Sequence, residues 1–431
     1  MATRARVHRI RNSGLRHALV EAANELGPGV VTGAADDDPS GIAAYSQAGA
    51  QFGYGLLWTM ILTYPLMCAV QLVSAHIGRV TGDGLAKNLS ASFPRAAVTF
   101  LVAALLIANT INIGADLAAM AAATELVIGG RTHIFAVLFA LTTVLLQLFV
   151  PYHQYARILK WLTLSLFAYV GVLLSVHIDW SAALIGMVWP GEIDRTTIVT
   201  IVAVFGTTIS PYLFFWQSAQ EAEEVSDTGD KPLKDVPREA PAQFRRIRLD
   251  TFVGMAFSNL IALAIILAAA ATLHQQGITQ INTAAEAAEA LRPIAGQFAF
   301  ALFALGIIGT GLLAVPVLAG SAAFAVSEAR GWKHGLEYKP QQAVRFYAII
   351  VAATMAGVAI DFLHINPIRA LFWSAVLNGV VAVPLMAAMM ILVGRRKIMG
   401  RFVAEPMVLA FGWAATLVMA AATILFFASL L

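Results

Sequence analysis

The feature that most constrains this chain is a series of uninterrupted apolar stretches, each about as long as a bilayer's hydrocarbon core is thick. A membrane-spanning helix needs about 20 mostly apolar residues, because lipid offers the backbone no hydrogen-bond partner. Ten stretches qualify: 55–77, 97–123, 134–150, 158–177, 197–219, 250–273, 295–326, 343–362, 370–393 and 404–430. Composition agrees. Of 431 residues 59% are apolar and 12% charged, about half the charged share of a soluble domain. A soluble shell, disorder and a coiled coil are all excluded. The lone Cys68 excludes a disulfide scaffold and any multi-cysteine metal cluster.

An eleventh stretch, 28–52, is interrupted by Asp36-Asp37-Asp38-Pro39, and hydropathy alone does not identify it as a span. The distribution of basic residues does. Lys and Arg cluster at 4–16, 79–95, 157–160, 231–248, 330–345 and 395–401, which accounts for 24 of 28. These clusters fall in alternate connections, as cytoplasmic loops require, only if 28–52 also crosses. Eleven crossings follow, with the N-terminus cytoplasmic and the C-terminus outside. The basic residues then read as topology determinants, so the pI near 9 carries no implication of nucleic-acid binding. No cleavable leader is expected, because no short apolar run with a cleavage site follows residues 1–16.

The organisation expected is a basic N-terminus (1–27), a first half of five helices (28–177), a second half of five (197–393) and one further helix (404–431). The polar segment 221–248 reads as a cytoplasmic linker, too short for a core of its own.

Two spans are interrupted in corresponding places. The first carries Asp36-Asp37-Asp38-Pro39-Ser40-Gly41; the sixth carries Gly206-Thr207-Thr208-Ile209-Ser210-Pro211-Tyr212. Each has a proline, which removes a backbone donor and clashes with the preceding turn, beside small or polar residues. Interruptions five spans apart are the mark of five helices repeated with inverted topology, the first of each repeat unwinding at the midplane. In a soluble chain Asp-Pro-Ser-Gly would read as a turn, and Pro211 alone as an ordinary kink. Inside a span an aspartate is costly and marks a functional site.

The first-span pattern, Gly27-Pro28-Gly29 through Asp38-Pro39 and then Ala48-Gly49-Ala50-Gln51-Phe52-Gly53-Tyr54, resembles the Nramp divalent-metal transporters. Their first span reads Asp-Pro-Gly-Asn followed, ten residues on, by Ala-Gly-Ala-Gln-Phe-Gly-Tyr. The ungapped spacing makes Asp38 the counterpart of the family's metal-binding aspartate. Gly206 to Gln217 lies over the sixth-span Gly-Ala-Thr-Val-Met-Pro-His, and Asp116-Leu117-Ala118 resembles the third-span Asp-Leu-Ala-Glu. The implied fold is all-α: eleven membrane helices, a five-plus-five inverted repeat with broken helices 1 and 6, and one extra C-terminal helix.

The departures matter as much. The family's asparagine ligand falls at Gly41, its methionine ligand at Ser210, its sixth-span histidines at Tyr212 and Gln217, and its third-span glutamate at Ala119. This pattern is similar to the divergent branch of Nramp-related magnesium transporters; a plant aluminium-transporting branch also lacks the methionine. The resemblance implies a metal site of Asp38, Gly41, Ser210 and a backbone carbonyl near Thr207. A thioether favours late transition metals over Mg²⁺, and its loss leaves oxygen donors suited to a partly hydrated Mg²⁺ or Mn²⁺. Glycine at 41 is expected to enlarge the cavity. The metal is cargo, and no cofactor is expected.

Around this set, Ala35, Asp36, Asp37, Tyr212, Asp116 and Asn378 are outer-shell or vestibule candidates. Asp36 and Asp37 read either as acceptors for a hydrated cation or as residues exposed in an aqueous vestibule. Asn378 alternatively reads as an interhelical hydrogen-bonder, Asp116 as a structural polar group and Ser210 as a small residue tolerated beside a proline. The expected partners are divalent ions and the bilayer, in a functional monomer of the cell's inner membrane, without proton coupling. The competing classes are a proton-coupled transition-metal transporter, an aluminium-type carrier and an amino-acid carrier of the same architecture. A membrane enzyme or haem carrier would call for a catalytic cluster or paired histidines, and neither is present in the sequence.

Overall fold

The computed structural model describes residues 32, 33, 35–151, 154, 162–191, 193–227, 229–363 and 365–430. The basic 4–16 cluster, the Gly27-Pro28-Gly29 start of the first-span motif, and Arg157 and Lys160 lie outside the described residues. The helices are α1 (Pro39–Phe52), α2 (Trp58–Thr81), α3 (Leu85–Ser92), α4 (Arg95–Ile128), α5 (Thr132–Phe149), α6 (Phe167–Ser175), α7 (Trp180–Val188), α8 (Arg195–Thr208), α9 (Pro211–Asp227), α10 (Ala240–Thr272), α11 (Ala299–Arg330), α12 (Val344–Asp361), α13 (Pro367–Val393) and α14 (Pro406–Leu430). Shorter helical pieces, Ala284–Glu289 and Arg292–Ala295, lie between α10 and α11. Among the described residues there is no β-strand.

Among the described residues, nine helical stretches are long and apolar enough to cross a membrane, and they coincide with nine of the predicted spans. The other two predicted crossings are the interrupted first span and the fifth, of which Leu164–Ser175 is an apolar helix. The protein is thus an all-α, multi-pass membrane protein.

The polar 221–248 segment differs from the expected linker. The sixth-span helix continues to Asp227 and the seventh-span helix starts at Ala240, so the two helices take up more than half of the segment. Charged residues can stay helical there because they pair. Arg246 reaches Glu221 at 2.6 Å and Glu224 at 3.3 Å. The intervening turn docks on the end of α2: Leu233 and Lys234 donate their N–H groups to the Arg79 and Val80 carbonyls, and Arg79 pairs with Asp230 at 3.3 Å.

The interrupted spans sit in the middle of the bundle. Helix α1 packs on α10, α13 and α8; α8 packs mainly on α13; α9 packs on α2 and α11. Helix α4 braces the group from the other side against α11, α12 and α13. Close approach at the α8–α13 crossing depends on missing side chains. A Cβ on Gly206 would lie 2.0 Å from the Ala375 carbonyl oxygen and 2.4 Å from the Gly379 nitrogen. Small residues are how membrane helices bring their backbones together. Gly206→Val is therefore expected to cost about 1–3 kcal/mol through forced separation of the two helices. Thermal unfolding of the detergent-solubilised protein checks this; an unchanged melting temperature would contradict the packing described.

Candidate functional site

Both interruptions occur immediately before a proline. The first span is helical at residues 32–33 and 35–36, leaves the helix at Asp37 and Asp38, and resumes with α1 at Pro39. The sixth leaves the helix at Ile209 and Ser210 and resumes with α9 at Pro211. Proline suits the first turn of a helix, where its missing N–H is not needed and its φ is already helical. Each break thus leaves one helix ending in unpaired carbonyls and another starting with free N–H groups. The carbonyl ends carry partial negative charge and favour a cation.

Asp38 is the N-cap of α1. Its Oδ1 accepts from the Gly41 N–H at 2.8 Å and from the Ser40 hydroxyl at 2.6 Å. Its Oδ2 accepts from the Asn112 side-chain amide of α4 at 2.9 Å. One oxygen is thereby committed to the helix start, and the other points toward α4. The same Asn112 nitrogen lies 3.5 Å from Asp116 Oδ2. Asp116 Oδ1 and Asn112 Oδ1 have no partner, and both residues are fully buried.

Asp36 and Asp37 share one donor. The Ser258 hydroxyl of α10 lies 2.6 Å from Asp36 Oδ2 and 3.1 Å from Asp37 Oδ1. The remaining oxygens, Asp36 Oδ1 and Asp37 Oδ2, have no partner. Neither aspartate is more than 1% exposed, so neither lies in an open vestibule in this structure. Asp38, Thr207, Ser210 and Tyr212 are buried to the same degree, and the whole centre is closed to solvent. A recess of about 270 Å³ lined by Gly82, Gly84, Glu223 and Glu328, and one of about 250 Å³ lined by Phe52, Trp58, Asp194 and Thr197, both leave Asp38 out.

On the sixth span, the Ser210 hydroxyl donates back toward the Gly206 and Thr207 carbonyls, 2.8 Å from each. The Thr207 carbonyl thus already receives one donor, with a second lone pair left over. The Thr207 side chain is the newer finding: its Oγ1 is buried and unpartnered. It lies 3.1 Å from where a Cβ on Gly41 would be, with the Tyr45 ring at 3.3 Å. The space that glycine was expected to open is therefore taken by the Thr207 hydroxyl and Tyr45, and the two broken spans touch at this point.

Tyr212 donates to the Ala35 carbonyl at 3.0 Å, which ties the start of α9 to the unwound first span. Gln217, one and a half turns further on, accepts from the Thr32 hydroxyl at 2.5 Å. Asn378 is buried on α13, next to the Gly206–Gly379 crossing, and both of its amide atoms lack partners. It makes no interhelical hydrogen bond in this structure. His133 pairs with Asp361 and His274 lies 2.9 Å from the Ala50 carbonyl oxygen, while His153 and His364 fall outside the described residues. Among the described residues, no group of three or more His, Cys, Asp or Glu side chains is arranged to hold a metal ion. Any cation held here would be met by fewer than three such side chains, with hydroxyl, amide and carbonyl oxygens beside them.

Sequence reasoning missed Asn112, Ser258 and the Thr207 hydroxyl. For Asn112 a signal existed, since Asn109, Asn112 and Asp116 fall at helical spacing on one face of an otherwise apolar α4.

Two membrane-span helices broken beside a closed polar centre are the architecture of a membrane transporter. The family described as natural resistance-associated macrophage protein-like matches residues 29–429. The chain belongs to this family, Nramp. A divalent metal cation transporter MntH of Yersinia pestis (strain Pestoides F) is 30% identical over 291 residues, 67% of this chain and 68% of its own. The MntH of Aeromonas hydrophila is 27% identical over 293 residues, 67% and 69% of the two chains. Among solved structures, the Eremococcus coleocola manganese transporter, bound to an aromatic bis-isothiourea compound, superposes with a TM-score of 0.75. The match covers 94% of this chain and 86% of that one at 15% identity. Mhp1, a nucleobase-cation-symport-1 family transporter, superposes with a TM-score of 0.54 over 93% and 92% at 12% identity, a likeness of fold alone.

Ser258→Ala should destabilise the protein by about 1–3 kcal/mol, because two buried carboxylates lose their shared donor. Thermal unfolding at matched detergent concentration measures it, and a stability equal to that of the parent would show that the hydroxyl is not holding them.

Proposed function

We propose that this chain moves divalent cations, Mg²⁺ and also Mn²⁺, across the cell's inner membrane without coupling to protons. The observation that carries the reading is that Gly41, whose N–H is held by Asp38, packs against the unpartnered Thr207 hydroxyl where the two broken spans touch. Asp38, the hydroxyls of Thr207 and Ser210, and the carbonyls freed near Thr207 and Gly41 form the ligand set. These are hard oxygen donors. Mg²⁺ is held through one or two carboxylates and keeps several waters, which such a set accommodates. No thioether stands at 210 to favour softer metals. Asp36, Asp37, Asn378 and Asp116 supply buried acceptor oxygens for water retained by the ion, with Tyr212 and the Ala35 carbonyl fixing the unwound segment around it.

The names borne by the relatives support divalent-metal transport, and the altered ligand positions support the magnesium-related branch. The halves 28–177 and 197–393 act as the inverted repeats that rock about the site, and the chain works as a monomer with its N-terminus cytoplasmic and its C-terminus outside. Protons have few carriers here: Tyr212 and Gln217 stand where the family has histidines, and Ala119 stands where it has a glutamate. Intramembrane Asp, Glu and His chains are the usual proton relay. The membrane potential supplies about 2.3 kcal/mol per charge per 100 mV, and about twice that for a divalent ion. Asp116, with one unpartnered oxygen and an amide shared with Asp38, is the observation that favours the competing proton-coupled reading.

Proteoliposomes carrying a pH-sensitive dye separate the two. Mg²⁺ and Mn²⁺ uptake is expected without lumenal acidification beyond that of protein-free vesicles, and Asp38→Ala is expected to abolish uptake while remaining folded. Uptake at the parental rate by a folded Asp38→Ala protein, or metal-dependent acidification that Asp116→Asn removes, would overturn the proposal.

A further inference from the structure

Asn112 has no part in the ligand set above, yet its position gives it two contacts with the cargo's surroundings. Asp38 Oδ1 is used up by the Ser40 hydroxyl and the Gly41 N–H, so the orientation of Oδ2 decides which way the carboxylate faces. Oδ2 accepts from the Asn112 amide at 2.9 Å. The other end of that amide, Oδ1, is fully buried and accepts nothing. An unmade hydrogen bond away from water is costly; Asn109 Oδ1 on the same helix is also unpartnered, but the Asn109 amide bonds Leu318 and Ser321, whereas that of Asn112 bonds Asp38. An acceptor beside a cation-binding carboxylate is suited to one donor above all, a water molecule bound to that cation.

We propose that Asn112 is the residue that selects for a hydrated ion: its N–H aims Asp38 Oδ2, and its carbonyl oxygen accepts a hydrogen bond from water that the cation retains. The inference rests on the reading of Asp38 as the metal-binding carboxylate. It differs from a purely structural role for Asn112, of which the same helix offers an example. Asn109 donates its amide to the Leu318 carbonyl at 2.9 Å and to the Ser321 hydroxyl at 2.8 Å, and so fastens α4 to α11.

Outer partners of metal ligands typically change metal affinity about 10- to 100-fold when removed. Mg²⁺ dehydrates reluctantly, so losing a group that holds its water weakens Mg²⁺ more than Mn²⁺. The experiment compares Asn112→Ala, Asn112→Ser and Asn109→Ala with the parent, as full-length protein in proteoliposomes. KM and maximal rate are measured separately for Mg²⁺ and Mn²⁺, and melting temperatures are taken alongside. Asn112→Ala is expected to raise the Mg²⁺ KM about tenfold, to raise the Mn²⁺ KM less, and to leave both maximal rates near parental. Asn112→Ser keeps a small polar group and guards against misfolding; its Mg²⁺-to-Mn²⁺ KM ratio is expected to move in the same direction by less. Asn109→Ala should lower the melting temperature and leave that ratio unchanged. Equal loss for both ions, or a fall in maximal rate alone, in either Asn112 variant overturns the proposal. Asp38→Ala in the same vesicles tests the underlying reading: if it still transports, the site itself is misplaced, whatever Asn112 does.

Discussion

The structure depends on how a chain in hydrocarbon satisfies the backbone groups released at two helix breaks. Lipid offers them nothing, so irregular backbone persists only where protein or a polar cavity receives it. Here each break lends its loose ends to the other. Tyr212 of the sixth span donates to the Ala35 carbonyl of the first, Tyr45 lies 3.0 Å from the Thr208 hydroxyl, and Asp38 caps its own helix start. The bundle then closes over the junction, with α8 lying on α13 at glycine-lined contacts and α4 bringing Asn112 and Asp116 to the opposite side.

What this arrangement leaves over is a set of buried oxygens without partners: Asp36 Oδ1, Asp37 Oδ2, Asp116 Oδ1, Asn112 Oδ1, Thr207 Oγ1 and Asn378 Oδ1. Buried polar groups are normally satisfied. Six orphan acceptors or hydroxyls lie on the two broken spans and the helices packed against them. Glycine at 41 and serine at 210 do not leave a hole. The Thr207 hydroxyl and the Tyr45 ring occupy the first position, and the Ser210 hydroxyl turns back onto its own helix.

Much of this was legible in the sequence, for a definite reason. Hydrocarbon thickness fixes span length, so nine of the span positions could be read from apolar runs alone. Two prolines beside small polar residues, five spans apart, marked the breaks, and motif spacing separated Asp38 from Asp36 and Asp37. The lost parts depend on tertiary direction. Nothing in the linear order says that Ser258, on a helix over 200 residues away, would bond both Asp36 and Asp37, or that Thr207 would contribute a side chain as well as a carbonyl. The 221–248 segment misled for a local reason: charge density reads as loop, yet Glu221 and Arg246 pair across two helices that run on beyond the apolar span.

The central claim is that an oxygen-only site built on one carboxylate favours hard, hydrated divalent ions. Its most direct test is a side-by-side flux measurement of Mg²⁺, Mn²⁺, Ca²⁺ and Cd²⁺ into liposomes containing the intact protein, at equal concentrations and a fixed membrane potential. The account predicts saturable Mg²⁺ uptake with Mn²⁺ competing for the same site, and no advantage for Cd²⁺. Strong Cd²⁺ and Mn²⁺ uptake with Mg²⁺ neither carried nor competing would contradict it.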